Sequence, residues 1–327
     1  MVLKLKTPWR DGTTHLVMSP LEFMQRLAAW ATEGAPVRQS SRRSKLTMPD
    51  GRLRGLSHHA GGPVTLSFPV TMSILIHPGQ PLVIGHRGAA AVRPENTLPS
   101  FEHAIDLGVD ALEFDVRITA DGVAVVHHDA STARTCGDDL LIERSTIEQL
   151  RRLDAATTFT GVYAPVTQTV IPLLDEVLAL TRDMPVIIEC KTVDAAPAVL
   201  WALRLHGATR RAIVGSFLHD ATRHARHAGV SSGASRRDVI ALVLRGLLRW
   251  APRQLPYAAM CIPEASSGVR LPIGRFVRWG HALGIPVHIW TVNTAADANR
   301  LWDLGVTGII SDDPGTVLAA RAGRCGG

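Results

Sequence analysis

The stretch that decides the fold covers residues 82–129 and reads LVIGHRGAAAVRPENTLPSFEHAIDLGVDALEFDVRITADGVAVVHHD. It begins as an apolar strand that breaks at Gly85–Gly88, where a histidine and an arginine stand between two glycines. The spacing of apolar residues predicts a helix over 97–107 and a second strand over 110–116. A hairpin strand near 123–127 follows a turn. The stretch is therefore typical of a strand–helix–strand unit with polar residues at the strand ends.

Three acidic residues occupy predicted strands. Glu113 and Asp115 are two residues apart, so both side chains lie on one face of their strand. Glu189 ends a later apolar strand. Carboxylates gathered at one place repel each other unless a cation lies between them, and oxygen ligands suit a hard divalent ion, Mg²⁺ or Ca²⁺. The alternative is that these acids only form salt bridges with Arg87 and Lys191.

Two histidines stand at strand ends near these acids. His86 ends the first strand and His128 ends the hairpin strand, whereas His127 lies on the opposite face because side chains alternate. Imidazole titrates near neutral pH and can act as a general acid or a general base. A histidine at such a position is also commonly a hydrogen-bonded structural residue. The pair is therefore a candidate for acid–base catalysis.

Apolar strands alternate with amphipathic helices from residue 82 onward, which indicates a parallel α/β fold. The strands are predicted near 82–86, 110–116, 186–190, 212–216, 229–233, 258–262, 286–291 and 307–311. Eight units over about 240 residues favour a TIM (β/α)8 barrel, with a doubly wound sheet as the alternative. The segment 118–170 is too long for a simple loop and is expected to be a small insertion after the second strand.

Ten short motifs connect this chain to a known family. They are HRG (86–88), PENT (94–97), EFD (113–115), DG (121–122), HD (128–129), IPLLDEVL (171–178), IIECK (187–191), SF (216–217), WTVN (290–293) and GVTGIISDDP (305–314). In this order they resemble the glycerophosphodiester phosphodiesterase family over about residues 80–318. The resemblance implies a TIM barrel enzyme that hydrolyses glycerophosphodiesters to sn-glycerol 3-phosphate and an alcohol.

The resemblance also implies roles for the polar residues. It makes Glu113, Asp115 and Glu189 the ligands of one divalent cation, and His86 and His128 the catalytic pair. One histidine would deprotonate the glycerol 2-hydroxyl and the other would protonate the leaving alcohol. The order of the two roles is left open by the sequence.

Further residues are expected to bind the substrate. Arg87 and Lys191 carry positive charge beside the acids, and cations stabilise the charge that develops on a phosphoryl group. Glu95 and Asn96 are expected to orient Arg87 and to close the pocket. Trp290 ends a strand and could pack on the glycerol, gate the pocket or plug the core.

Two further motifs contain charged residues to which no catalytic role is assigned. Asp312 and Asp313 precede Pro314, and we expect them to cap the last helix. The Arg–Thr element in the segment 132–137 follows the HD motif as it does in the family, but no function is assigned to it.

The positive charge is concentrated before residue 80. Residues 1–80 hold 10 Lys and Arg against 4 Asp and Glu, whereas residues 81–327 hold 25 of each. We expect residues 1–71 to form a basic, partly disordered extension and residues 72–327 to form the enzyme domain. The first thirty residues resemble a C-terminal piece of an insertion-sequence transposase, which suggests a fusion remnant. The alternative is a tail that contacts nucleic acid; nucleic-acid binding by the enzyme domain is not expected.

The remaining composition bears on location and substrate. The 4 cysteines form no CxxC pair, and neither a secretory apolar segment nor a stretch of about 18 apolar residues occurs. We therefore expect a cytoplasmic enzyme without a membrane span, and its oligomeric state is left open. The alternative function is a lysophospholipase D-like or phospholipase C-like activity, for which Val239–Trp250 could provide an apolar lip.

Overall fold

The structure is a computed structural model that describes residues 2–4, 15–17, 74–161, 168–266 and 268–325. In the N-terminal extension, strands β1 (Val2–Lys4) and β2 (His15–Val17) pair antiparallel. The rest of the expected basic extension, residues 1–71, lies outside the described residues.

Seven parallel strands and one antiparallel strand form the main sheet of the described residues. The strands after β2 are β3 (Leu82–His86), β4 (Ala111–Ile118), β5 (Ala124–Val126), β6 (Val186–Cys190), β7 (Ala212–Gly215), β8 (Met260–Pro263), β9 (Ala265–Ser266), β10 (Val269–Arg270), β11 (Val287–Trp290) and β12 (Gly308–Ser311). The parallel order is β7-β6-β4-β3-β12-β11-β8, β5 pairs antiparallel with β4, and β9 and β10 form a separate hairpin.

Helices connect the parallel strands and cover the outside of the sheet. The described helices are Leu98–Asp106, Ala133–Cys136, Ile147–Leu150, Leu174–Leu180, Ala195–Leu205, His219–His227, Arg236–Leu247, Ile273–Leu283, Ala295–Asp303 and Pro314–Cys325, with a 3₁₀ turn at Ile142–Arg144. The first of them confirms the helix predicted over 97–107 to within one residue at each end, which is inside the usual uncertainty at helix ends.

The barrel closes where the sequence predicted an eighth strand over 229–233. That prediction is wrong in detail, because only single parallel bridges occur here: Ser232 pairs with Val214 of β7, and Gly233 pairs with Ala259 before β8. The Gly233 amide donates to the Val214 carbonyl at 3.0 Å. The short Ser-Ser-Gly-Ala run has low strand propensity, so it bridges its neighbours without forming a regular strand. The two edges of the sheet are thus joined, which confirms the barrel and excludes the doubly wound alternative.

Strand β4 shows how the alternation of side chains builds the barrel. Phe114 is fully buried in the layer between sheet and helices, where its ring meets the edge of Phe101 with centroids 5.6 Å apart. Glu113 and Asp115, on either side of it, project to the other face, into the barrel. The prediction that the two acids share a face is confirmed. The buried aromatic pair anchors the strand that carries them.

The interior of the barrel is filled by apolar side chains on the side where the strands begin. Leu75, which precedes β3, packs there with Leu82, Ala111 and Ile213. A ring nitrogen of the buried His288 lies 2.9 Å from the Leu75 carbonyl oxygen. This packing leaves open space only toward the carboxyl ends of the strands, where TIM barrels place their active sites.

The expected insertion after the second strand has a small core of its own. Buried Val125, Cys136, Ile142, Leu150 and Ile171 form a cluster separate from the barrel core. Its helix Ile147–Leu150 begins with a capping box, in which the threonine before the helix and a glutamine on its third residue bond each other's backbone amides. The insertion is therefore a packed unit, as the sequence predicted.

We predict that Phe114→Ala lowers the free energy of unfolding by about 3–5 kcal/mol, because it removes a buried ring from a close-packed layer. Urea denaturation followed by circular dichroism measures this change. The control is Leu248→Ala, whose side chain is 73% exposed and whose loss should change stability by less than about 0.5 kcal/mol. Equal effects of the two substitutions would contradict the packing described for β4.

Candidate active site

The turn after β3 directs the guanidinium of Arg87 into the cavity at the mouth of the barrel. Gly88 adopts a φ of 90°, and a Cβ there would lie 2.4 Å from the Ser100 Oγ, so only glycine fits. Arg87 has a φ of 51°, a strained conformation for an arginine. Its amide donates to the Glu113 carbonyl at 2.8 Å, which helps to hold the strained turn in place. The HRG motif therefore fixes the direction of the Arg87 side chain.

The three predicted carboxylates converge. Glu113, Asp115 and Glu189 each offer an oxygen within 4.8 Å of the others. The register of the sheet explains this arrangement, because Asp115 of β4 lies opposite Glu189 of β6 and Glu113 lies opposite His86 of β3. Strand alternation and parallel pairing thus suffice to assemble the cluster.

Two cations accompany the acidic cluster. Lys191 Nζ lies 2.8 Å from Asp115 Oδ1 and 2.9 Å from Glu189 Oε1, and Arg87 Nε lies 3.2 Å from Asp115 Oδ2. Both cations also line the main cavity. They are therefore salt-bridge partners of the acids and are available to a bound anion as well, so the two expectations from the sequence are compatible.

The charge of the cluster is not balanced by these two cations. Burial and the neighbouring Asp115 raise the pKa of Glu113 to about 7. Burial also raises the pKa of Glu189, whereas for Asp115 it is outweighed by Lys191 and Arg87, which hold the pKa of that carboxyl well below its usual range. An additional positive charge would stabilise all three carboxylates. A hard divalent cation with oxygen ligands fits this donor set.

Each of the two predicted histidines is held by a carboxylate. His86 Nδ1 lies 2.6 Å from Asp312 Oδ1, and His128 Nδ1 lies 2.6 Å from Asp129 Oδ1. A carboxylate at Nδ1 favours the tautomer that leaves Nε2 as the working nitrogen. Both histidines line the same cavity. A molecule that binds in this cavity would therefore meet two oriented imidazoles.

The surroundings of the two imidazoles differ. Burial lowers the pKa of His86, but the hydrogen bond with Asp312 and the charge of Glu113 outweigh it and raise the pKa above its ordinary value. Burial lowers the pKa of His128. Pairs of titratable groups whose pKa values are driven apart are typical of acid–base sites.

Asp312 corrects an expectation from the sequence. It does not cap the last helix but bonds His86, whereas Asp313 is the capping residue, since it accepts hydrogen bonds from the Thr316 amide at 3.1 Å and from its hydroxyl at 2.7 Å. Strand β12 runs parallel to β3, so the first residue after β12 lies beside the last residue of β3. The predicted closure of the barrel makes its first and last strands neighbours, and this inference from the sequence could have identified Asp312.

The PENT loop behaves only partly as expected. Arg87 Nη1 donates to Glu95 Oε1 at 2.8 Å, so Glu95 does orient Arg87. The Asn96 side chain instead donates to Asp115 Oδ2 at 2.8 Å, and Asn96 is only 3% exposed. This side-chain contact fixes one carboxylate of the acidic cluster. The Asn96 backbone amide donates to the Arg87 carbonyl at 3.0 Å, as expected of a residue that orients Arg87. Substrate binding by Asn96 stays a prediction.

The other half of the cavity is apolar. Trp290 lines it and meets the Phe217 ring edge-on, with centroids 5.8 Å apart. Trp290 also packs on the apolar interior of the barrel, so the core-plug and cavity interpretations both have support. Phe217, in the SF motif after β7, was not assigned a role from the sequence. The cavity therefore combines an apolar wall with the charged side chains described above.

Comparison with known proteins identifies the same family as the motifs in the sequence. The family model described as the glycerophosphoryl diester phosphodiesterase family matches residues 86–316. A glycerophosphodiester phosphodiesterase of Caldanaerobacter subterraneus is 32% identical over 252 residues, which cover 72% of this chain and 96% of that protein. These findings confirm the resemblance inferred from the motifs.

Two further proteins are similar to the chain. A lysophospholipase D of Rattus norvegicus is 26% identical over 71% of this chain and 83% of that protein. The crystal structure of a phosphodiesterase from Oleispira antarctica, in complex with the product sn-glycerol-3-phosphate, superposes with a TM-score of 0.60 at 23% identity and covers 76% of this chain and 99% of that one. This likeness supports the barrel fold. Within the described residues, no helix has the length and apolarity needed to cross a membrane.

We predict that Mg²⁺ or Ca²⁺ raises the melting temperature of protein treated with EDTA, because an ion that binds the folded state stabilises it, by about 2.7 kcal/mol at a concentration of 100 Kd. Glu113→Gln and Glu189→Gln should abolish the increase. The control is Glu148→Gln, which alters an exposed acid paired with Arg152. An unchanged increase in the two cluster variants would show that the ion binds elsewhere.

Proposed function

The chain belongs to the glycerophosphoryl diester phosphodiesterase family of enzymes, and from this premise we propose that it hydrolyses glycerophosphodiesters to sn-glycerol 3-phosphate and an alcohol. The observation that carries the proposal is the composition of one cavity: two imidazoles held by carboxylates, an acidic cluster and two cations. These groups suit a phosphodiester, because its cleavage requires proton transfers and stabilisation of added negative charge.

In this proposal Glu113, Asp115 and Glu189 hold one divalent cation, Mg²⁺ or Ca²⁺. When bound, the cation would act as a Lewis acid toward the phosphate oxygens. The support is the charge of the cluster, which exceeds what Lys191 and Arg87 compensate. The same two side chains would bind the non-bridging oxygens of the phosphodiester, and Glu95 would keep Arg87 turned toward them.

His86 and His128 carry the proton transfers in the proposed reaction. One takes the proton of the glycerol 2-hydroxyl, whose oxygen attacks phosphorus, and the other gives a proton to the oxygen of the leaving alcohol. Water then opens the resulting cyclic phosphate while the two histidines exchange roles. Both imidazoles are fixed at Nδ1, which supports Nε2 as the nitrogen that moves the proton in each case.

The alternative, a lysophospholipid substrate, depended on an apolar lip at Val239–Trp250. Ala234, two residues before the helix Arg236–Leu247, lines the main cavity, but none of residues 239–250 is among the described residues that line it. Leu248 and Trp250 follow the end of this helix and are exposed. This position favours a glycerophosphodiester over an acylated substrate.

We predict that glycerophosphocholine and glycerophosphoethanolamine are turned over at least tenfold faster than lysophosphatidylcholine. Release of glycerol 3-phosphate is measured enzymatically for glycerophosphocholine and glycerophosphoethanolamine, with Mg²⁺ or Ca²⁺ present. Release of choline is measured for glycerophosphocholine and lysophosphatidylcholine, so that these two substrates are compared by the same product. Faster choline release from lysophosphatidylcholine would reverse the substrate assignment.

We predict that His86→Ala and His128→Ala each lower kcat by about 10²–10⁴-fold. A glycerophosphodiester with a p-nitrophenol leaving group needs no protonation, so the variant that lacks the general acid should recover most of its activity on it. The control is His206→Ala, which alters a pair with Asp175 on the helix layer. Wild-type kcat in either cavity variant would remove that histidine from the mechanism.

A further inference from the structure

The Arg–Thr element, which had no function assigned from the sequence, joins two parts of the site. Arg134 lies in the short helix Ala133–Cys136 of the insertion, and its side chain is 49% exposed. Its Nη1 and Nη2 atoms donate to the two oxygens of Glu95, both at 2.7 Å, and its Nε donates to Asp129 Oδ2 at 2.5 Å. One guanidinium therefore binds two carboxylates from different segments.

Each of those two carboxylates also bonds a side chain to which the proposed reaction assigns a role. Glu95 Oε1 also accepts from Arg87 Nη1 at 2.8 Å, and Asp129 Oδ1 lies 2.6 Å from His128 Nδ1. A continuous chain of charged contacts thus runs from Arg87 through Glu95, Arg134 and Asp129 to His128. It connects the loop after β3, which binds phosphate in the proposal, with the segment after β5, which provides an imidazole.

Arg134 stands behind the residues that face the main cavity. Arg87 and His128 line that cavity, whereas Glu95, Arg134 and Asp129 are absent from its described walls. Arg134 does border a second cavity, between the insertion and the loop after β3. All three side-chain nitrogens of Arg134 already donate to Glu95 or Asp129, and Arg134 does not line the main cavity, so its contacts indicate a positioning role and not direct substrate binding.

The chemistry of arginine suits this place. Its planar guanidinium carries five N–H donors in a fixed fork, so one side chain can bind Glu95 through two bonds and Asp129 through a third. Burial would raise the pKa of Asp129, but the hydrogen bonds with Arg134 and His128 and the charges of these two residues together outweigh it and lower the pKa to about 2. Asp129 therefore stays a carboxylate that can hold His128.

We propose that Arg134 is a positioning residue that keeps Arg87 and His128 in fixed register on the same phosphodiester. The inference rests on the proposed function for the identity of the reacting groups. It also assigns a role to the insertion, since the insertion contributes a side chain that bonds both Glu95 and Asp129. Loss of Arg134 leaves every cavity-lining side chain present and removes only their mutual alignment.

The kinetic test uses Arg134→Met, which keeps the length and removes the donors. We expect kcat on glycerophosphocholine to fall by about 10–100-fold, because small misplacements of reacting groups have effects of this size. Arg134→Lys keeps the charge but cannot bind both carboxylates in the same way, so it should recover only part of the loss. The matched control is Arg152→Met, an exposed arginine of the same insertion that pairs with Glu148.

Two further variants separate the arms of the network. Asp129→Asn should lower kcat with little change in KM, because it loosens His128, whereas Glu95→Gln should raise KM, because it loosens Arg87. If Arg134 acts through Asp129, the double variant Arg134→Met with Asp129→Asn should lose much less than the product of the two single effects. Effects that multiply would overturn the proposal, as would wild-type kcat and KM in Arg134→Met. If that variant does not fold, wild-type kinetics of Arg134→Lys overturn it equally.

A spectroscopic readout keeps the inference independent of substrate identity. The Nδ1 proton between His128 and Asp129 should give a downfield proton resonance, assigned by its absence in His128→Ala. We expect this resonance to shift or broaden in Arg134→Met and to stay unchanged in Arg152→Met. An unchanged resonance in Arg134→Met would overturn the inference. A wild-type enzyme inactive on glycerophosphodiesters would instead contradict the proposed function and leave this result standing.

Discussion

Mutual repulsion among carboxylates placed inside a barrel is the constraint on which the rest of the site depends. Glu113, Asp115 and Glu189 lie within reach of one another where water is scarce, and each would favour its neutral form without compensation. Lys191 and Arg87 compensate part of this charge. The remaining negative charge supports the proposed divalent cation, which together with Lys191 and Arg87 would attract an anionic phosphodiester.

The barrel supplies the positions that this cluster needs. Parallel strands end at the same rim, so residues that are distant in sequence become neighbours across the sheet. His86 meets Asp312 because β3 and β12 are adjacent, although 226 positions separate the two residues. The apolar filling at the opposite end holds the strands rigidly. Rigid strands can keep like charges close together, which a mobile loop could not do.

Much of this could be predicted from the sequence, and the reason is local periodicity. Alternation in β4 put Glu113 and Asp115 on one face, and strand ends pointed to His86 and His128. Contacts between distant segments were harder to predict. Asp312 was taken for a helix cap because its sequence neighbour Pro314 suggested one, whereas its true partner depends on which strands adjoin. The contact of the Asn96 side chain with Asp115 was missed for the same reason, since it joins the loop after β3 to β4.

The eighth strand shows a different limit. Its position was predicted correctly, but the small residues of 229–233 form only isolated bridges, so the pattern overestimated its regularity. Arg134 could not be assigned at all from sequence, because its two partners come from separate segments.

The proposed chemistry depends above all on one divalent cation among Glu113, Asp115 and Glu189. Crystals soaked in MnCl₂ would locate this cation, since Mn²⁺ is an oxygen-binding stand-in for Mg²⁺ and gives an anomalous signal. We expect one anomalous peak bonded to all three carboxylates, at about 2.0–2.3 Å. A cluster without a peak, or a peak bound by other residues, would contradict it.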